Sequence, residues 1–155
     1  MKRILFVCTG NTCRSSMAEA LLRHELEKEG MDREYHVSSA GTSAFPGMPA
    51  SHNAIEALKA EGIDLTRHSS SSLDADVIDM ADLILTMTGV HKKRLLQLKP
   101  DAASKTYTLG EYCGVSRNTD IQDPFGGDID IYMNCRDEIK RHILVLVEKL
   151  KEKGV

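Results

Sequence analysis

Residues 4–22 read ILFVCTGNTCRSSMAEALL. Four apolar residues run into Cys8, a short polar stretch follows, and then apolar positions recur at helical spacing. A buried strand therefore turns into a helix across 9–14. Gly10 and Asn11 are the residue types that accept a left-handed backbone at least cost. A loop of this kind can turn its N–H groups inward, beside a helix N-terminus whose partial positive charge favours anions. Arg14 adds a planar fork of donors that can grip two oxygens at once. The same field that holds an oxyanion also favours a thiolate, and Cys8 stands at the floor of the loop. A thiolate facing a bound phosphoryl group is a nucleophile for in-line displacement. There is no GxGxxG turn and no GxxxxGK[ST] loop, so nucleotide binding has little support.

Outward from this stretch the chain alternates strand and helix. Residues 3–8 read as the first strand and 16–29 as the first helix, with apolar positions 17, 18, 21, 22 and 26 and a stop at Gly30. A short strand over 36–40, a loop GTSAFPGMP and a helix over 50–61 follow, the last ended by Gly62. Residues 73–80 suit a short helix, 82–87 a strand, 89–98 a helix capped by Thr88, and 105–109 a fourth strand. Residues 110–128 read as a long loop, and 129–152 as a long helix with apolar positions 139, 143, 146, 147 and 150. This pattern predicts an α/β fold: a four-stranded parallel sheet flanked by helices on both faces, with a phosphate-binding loop after the first strand. Ligands of such sheets sit beyond the carboxyl ends of the strands, where Cys8 falls.

The bulk numbers bound the alternatives. The 155 residues suit one domain, taken as 1–155. Hydrophobic residues make up 41% and charged ones 28%, with a net charge of −3, so neither a nucleic-acid footprint nor a membrane span is expected. The N-terminal apolar run is too short for a secretory signal, and a cytoplasmic protein is expected. Of the four cysteines, Cys8, Cys13, Cys113 and Cys135, only the first two lie close together in sequence, without the spacing of a zinc site. No disulfide framework and no metal are expected.

Displacement at phosphorus needs a proton for the leaving group. DIQDPFGGDIDIY (120–132) holds the candidates. Asp123 precedes Pro124, which restricts it to extended geometry, and the glycines beyond let the loop approach another surface. Asp120, Asp128 and Asp130 compete, and Asp128 or Asp130 also suits the cap of the last helix.

With these residues in view, the chain resembles the low-molecular-weight protein tyrosine phosphatases, and within them it most resembles the bacterial protein arginine phosphatases. VCTGNTCRSSMAEALL, SSAGT, RHSS, ADLILTM and DPFGGDIDIYMNCRDEI carry the likeness along nearly the whole chain. The resemblance implies that Cys8 is the nucleophile of a phosphocysteine mechanism, that Arg14 holds the equatorial oxygens, and that Asp123 is the acid and then the base. Thr9, Gly10, Asn11, Thr12, Cys13 and Arg14 would hold the phosphoryl group, with Phe125 also at the substrate site. Asn11, Ser15, Ser39 and His68 would support the loop, Ser15 also easing the departure of Cys8. Cys13 is placed to capture an oxidised Cys8 as a disulfide, or is a small buried residue. Neither cofactor nor metal is implied. The other five histidines read as ordinary, and Cys113 and Cys135 as structural.

Phosphorylated proteins are the expected partners, phosphoarginine preferred and phosphotyrosine possible. Thr12 stands where the tyrosine enzymes carry a bulky aliphatic residue, and Thr88 where they usually carry an acid. A threonine hydroxyl can hydrogen-bond the attacking water or a guanidinium N–H, which isoleucine cannot. Aromatic walls for a tyrosine ring are sparse. Arsenate reductases of the same fold need further cysteines some way after the nucleophile, and residues 77–92 hold none. A phosphate-binding module without activity would have no use for DPFGG.

Overall fold

A computed structural model describes residues 1–155. Four parallel strands make one sheet: β1 (Lys2–Cys8), β2 (Tyr35–Gly41), β3 (Leu83–Thr86) and β4 (Thr106–Thr108), in the order β2-β1-β3-β4. Between and after them run α1 (Arg14–Lys28), α2 (His52–Lys59), α3 (Ala75–Met80), α4 (Gly89–Leu98), α5 (Leu109–Tyr112) and α6 (Ile129–Lys153). β1 pairs with β2 on one side and β3 on the other, so the strand order switches at β1. The loop leaving Cys8 opens at that switch point, where parallel sheets bind ligands.

β1 is buried on both faces, which explains its unbroken apolar run. Ile4, Phe6 and Cys8 point into the larger core, against Met17 and Leu22 of α1, Leu58 of α2, and Ile139 and Ile143 of α6. Leu5 and Val7 point the other way, toward Ile78 of α3 and Leu95 of α4. This alternation places helices on both faces, as the sequence pattern predicts. No helix is long and apolar enough to cross a membrane.

Element ends differ from the sequence reading in physically traceable ways. α1 begins at Arg14 rather than 16, because the loop hands its backbone directly to the helix at Cys13. α2 starts at His52 rather than 50, since Ser51 is still extended at ψ 150°. The expected loop after β4 opens with α5: Thr108 accepts from Glu111 N and the Glu111 carboxylate accepts from Thr108 N, closing a capping box. A 3-10 turn at Pro100–Lys105 also joins α4 to β4. Asp128, not Asp130, caps α6 by accepting from Ile131 N.

Candidate active site

The loop at 9–13 is shaped by Asn11, which is fully buried and left-handed at φ 58°. Its side chain ties three segments together. Nδ2 donates to Ser15 Oγ and to Ser39 Oγ, both at 2.8 Å, and Oδ1 accepts from Ser71 N at 2.9 Å. His68 Nε2 lies 2.6 Å from the Asn11 carbonyl. Ser39 in turn donates to Glu19 at 2.7 Å. Gly41 lets β2 approach closely, since a Cβ there would run into the Thr9 carbonyl. The structure thus brings Asn11, Ser15, Ser39 and His68 together, along with Glu19 and Ser71.

Asn11→Ala should be among the more destabilising polar substitutions. It strands the partners of three side-chain hydrogen bonds and puts alanine, which lacks asparagine's tolerance of the left-handed region, at φ 58°. Unfolding free energy should fall by about 2–4 kcal/mol. Asn11→Gly should lose about 1 kcal/mol less, because it removes the bonds without the strain. Urea unfolding of both variants checks this, and equal losses would argue against the strained backbone.

Cys8 Sγ sits at the floor, 2.8 Å from Ser15 Oγ and 3.3 Å from the Asn11 N–H that donates to it. The amides of Gly10, Thr12 and Cys13 have no acceptor within the protein. They stand beside the first turn of α1, so the loop concentrates donors around one sulfur. The Arg14 side chain is 6% exposed. It donates to the Ile121 carbonyl at 2.9 Å and approaches Asp123 Oδ2 at 3.6 Å, leaving donors of its fork free for an anion. Ile121 N donates to the carbonyl of Met87 at the end of β3, which anchors the segment leading to Asp123.

Asp123 is half exposed. Its Oδ1 accepts from Phe125 N at 3.1 Å, and Gly127 N closes the turn onto the Pro124 carbonyl. This leaves Oδ2 facing Arg14. A Cβ at Gly127 would stand 2.8 Å from the Ile131 side chain, so the tight turn requires glycine. Residues 8–14, Asp123 and Phe125 line one cavity of about 260 Å³, with Phe125 its only aromatic residue. Of the competing carboxylates, Asp120 is engaged by Gly89 N at the start of α4 and Asp128 caps α6.

Cys13 Sγ lies 3.3 Å from Tyr132 Oη and 3.4 Å from Ser51 Oγ, and all four cysteines are free thiols. Burial pushes the Cys113 thiol up to about 11 and the Cys135 thiol up to about 12, which suits inert packing residues. Burial, followed by the hydrogen bond with Cys13, pushes Tyr132 up to about 12.

His91, read as ordinary from the sequence, reaches the loop that lines the cavity. It is buried, and its Nε2 lies 2.8 Å from Thr9 Oγ1. Nδ1 accepts from Thr88 N at 3.2 Å and contacts Thr88 Oγ1 at 3.0 Å, within the capping box of α4. Burial, then the nearby Arg14 guanidinium, pushes the imidazole down to about 4. The one related signal in the sequence is Thr88 as a helix cap; histidine is not the Glu or Gln that marks a capping box, so the contact of His91 has no sequence signature.

The family model described as low molecular weight phosphotyrosine protein phosphatase matches residues 3–155. The chain belongs to this phosphatase family. Within it, the protein-arginine-phosphatase of Bacillus subtilis (strain 168) is 44% identical over 149 residues, 96% of this chain and 97% of that protein. The protein-arginine-phosphatase of Geobacillus stearothermophilus is 45% identical over 149 residues, 96% of each chain. Among solved structures, the YwlE arginine phosphatase, in a cysteine-to-serine mutant with a phosphorylated active-site serine, superposes with a TM-score of 0.92 at 43% identity. That match covers 97% of each chain.

Proposed function

We propose that this protein is a cysteine-dependent protein phosphatase that hydrolyses phosphoarginine in proteins through a phosphocysteine intermediate, acting as a single domain. One observation carries the reading: the Cys8 thiol, unpartnered loop amides, the Arg14 guanidinium and the Asp123 carboxylate share one cavity. In the first step the loop amides and Arg14 hold the phosphoryl oxygens while the Cys8 thiolate attacks phosphorus. An S–P bond forms, the P–N bond to the guanidino nitrogen breaks, and that nitrogen takes a proton from Asp123. In the second step the Asp123 carboxylate takes a proton from water as the water oxygen attacks phosphorus. The S–P bond breaks, inorganic phosphate forms, and Cys8 leaves as thiolate, eased by the Ser15 hydroxyl 2.8 Å away. Charge is stabilised by donors already in place, which is the efficient arrangement for phosphoryl transfer.

Three features support the arginine preference over phosphotyrosine. Thr12 brings a hydroxyl to the cavity, Asp123 Oδ2 faces inward where a guanidinium would pair with it, and Phe125 alone would flank a phenol ring. The arginine phosphatases at 44–45% identity add to this. The test is side-by-side turnover of a phosphoarginine protein and a phosphotyrosine protein without added metal. Faster phosphoarginine turnover is expected, and the reverse order would establish a tyrosine phosphatase.

Thr12→Ile keeps the β-branch and removes the hydroxyl. The ratio of phosphoarginine to phosphotyrosine turnover should fall about tenfold, the worth of one hydrogen bond to a charged group. An unchanged ratio would remove Thr12 from the specificity argument. Four free thiols suit a reducing cytoplasm, which we take as the compartment. Cys13 is read as the partner that captures oxidised Cys8.

A further inference from the structure

The side chain of Thr9 makes one hydrogen bond in the protein, with His91 Nε2 at 2.8 Å. The direction of that bond follows from the other ring nitrogen. Nδ1 accepts from the Thr88 backbone N–H, so it carries no proton. The neutral ring therefore has its proton on Nε2, and Nε2–H donates to Thr9 Oγ1. A hydroxyl that accepts in this way still holds one proton to donate. No protein acceptor takes it, and Thr9 lines the cavity beside Cys8 and Arg14. Four charged groups act on the ring, Arg14, Arg94, Asp120 and Asp123, but burial dominates them and keeps it neutral across the ordinary working range.

We propose that His91 is a positioning residue that, by donating from Nε2 to Thr9 Oγ1, turns the Thr9 hydroxyl proton toward a phosphoryl oxygen held in the cavity. The inference deepens the phosphatase reading and rests on it. Thr9 would then add a side-chain donor to the ring of loop amides. α4 would be coupled to the loop, because the Thr88 cap that fixes the imidazole also fixes its tautomer. A purely structural His91 would serve the helix cap alone.

Two substitutions separate these roles. His91→Asn keeps an acceptor near the position of Nδ1, and so the cap, but cannot reach Thr9. His91→Gln places a donor near the position of Nε2, and glutamine at this third position of α4 is compatible with the cap. The readout is affinity for inorganic phosphate by calorimetric titration, alongside thermal unfolding. Thr9→Val and His91→Asn should each weaken phosphate binding by about tenfold, as loss or misdirection of one hydrogen bond to an anion would. The double variant should be no weaker than Thr9→Val alone, and His91→Gln should recover most of the affinity that His91→Asn loses, although both variants can keep the cap. Multiplying losses in the double variant would overturn the coupling. So would phosphate affinity that follows Tm rather than the presence of the donor. Turnover of phosphoarginine and phosphotyrosine proteins by the unsubstituted protein is measured on the same samples. Absence of both activities would sink the phosphatase reading, while the phosphate titration would still decide on the His91–Thr9 pair.

Discussion

Cys8→Ser should yield a folded protein that binds inorganic phosphate and does not turn over, with activity lower by about 10⁴-fold or more. The fold has no reason to object. Cys8 is 3% exposed, and its sulfur is held by the Asn11 N–H and the Ser15 hydroxyl, both of which an oxygen can also engage. The unpartnered amides of Gly10, Thr12 and Cys13 and the Arg14 fork are untouched, so the anion site persists. What changes is chemistry in both steps. A serine hydroxyl is far harder to ionise than a thiol, so attack on phosphorus is slow. An alkoxide is also a poorer leaving group than a thiolate, so any phosphoserine formed should persist. Mass spectrometry after exposure to a phosphorylated protein should therefore find one phosphoryl group on residue 8. Appreciable steady-state hydrolysis by the variant would remove Cys8 as the nucleophile.

This result depends on a feature legible in the residues themselves. An apolar run ending in cysteine, then glycine, asparagine, arginine and a helical stripe, has few ways to fold. The buried β1 and the left-handed Asn11 are what that pattern dictates. Asp123 stands out because Pro124 limits its backbone, whereas the role of Asp128 as a cap depends on where α6 begins. The contacts that sequence does not betray join distant segments through groups without a pattern of their own. The carbonyl of Ile121 orients Arg14 across 107 residues of sequence. His91 reaches Thr9 across 82, and nothing in the composition of 87–91 says which ring nitrogen faces the loop. Likewise Tyr132 sits in an apolar stripe, and only the packing of α6 against α1 brings its hydroxyl to Cys13. Local backbone preference is written in local residue types. Pairing across the sheet ends is set by the whole core.

Asp123→Asn should lower turnover by about 10²–10⁴-fold, the usual worth of a positioned general acid and base, and the loss should depend on the leaving group. Asparagine keeps the size of the side chain and the Oδ1 that accepts from Phe125 N, so the loop geometry should survive. It cannot supply the proton that a departing guanidine or phenolate needs. A tyrosine-like phenol has a pKa near 10, roughly, and an arginine guanidinium above about 12, so both leaving groups depend heavily on that proton. p-Nitrophenolate is a much weaker base and departs with less help. With p-nitrophenyl phosphate the first step should therefore be nearly spared. The second step still needs Asp123 to take a proton from water, whatever group has left. Release of p-nitrophenolate by the variant should accordingly show a burst of about one equivalent per enzyme, then a slow steady rate as phosphocysteine accumulates. Rapid-mixing absorbance measures the burst, and acid quenching traps the phosphoenzyme. Equal losses for all leaving groups without a burst would move the acid–base role elsewhere. Asp120 is the next carboxylate to test, although its engagement with Gly89 N makes it the weaker candidate.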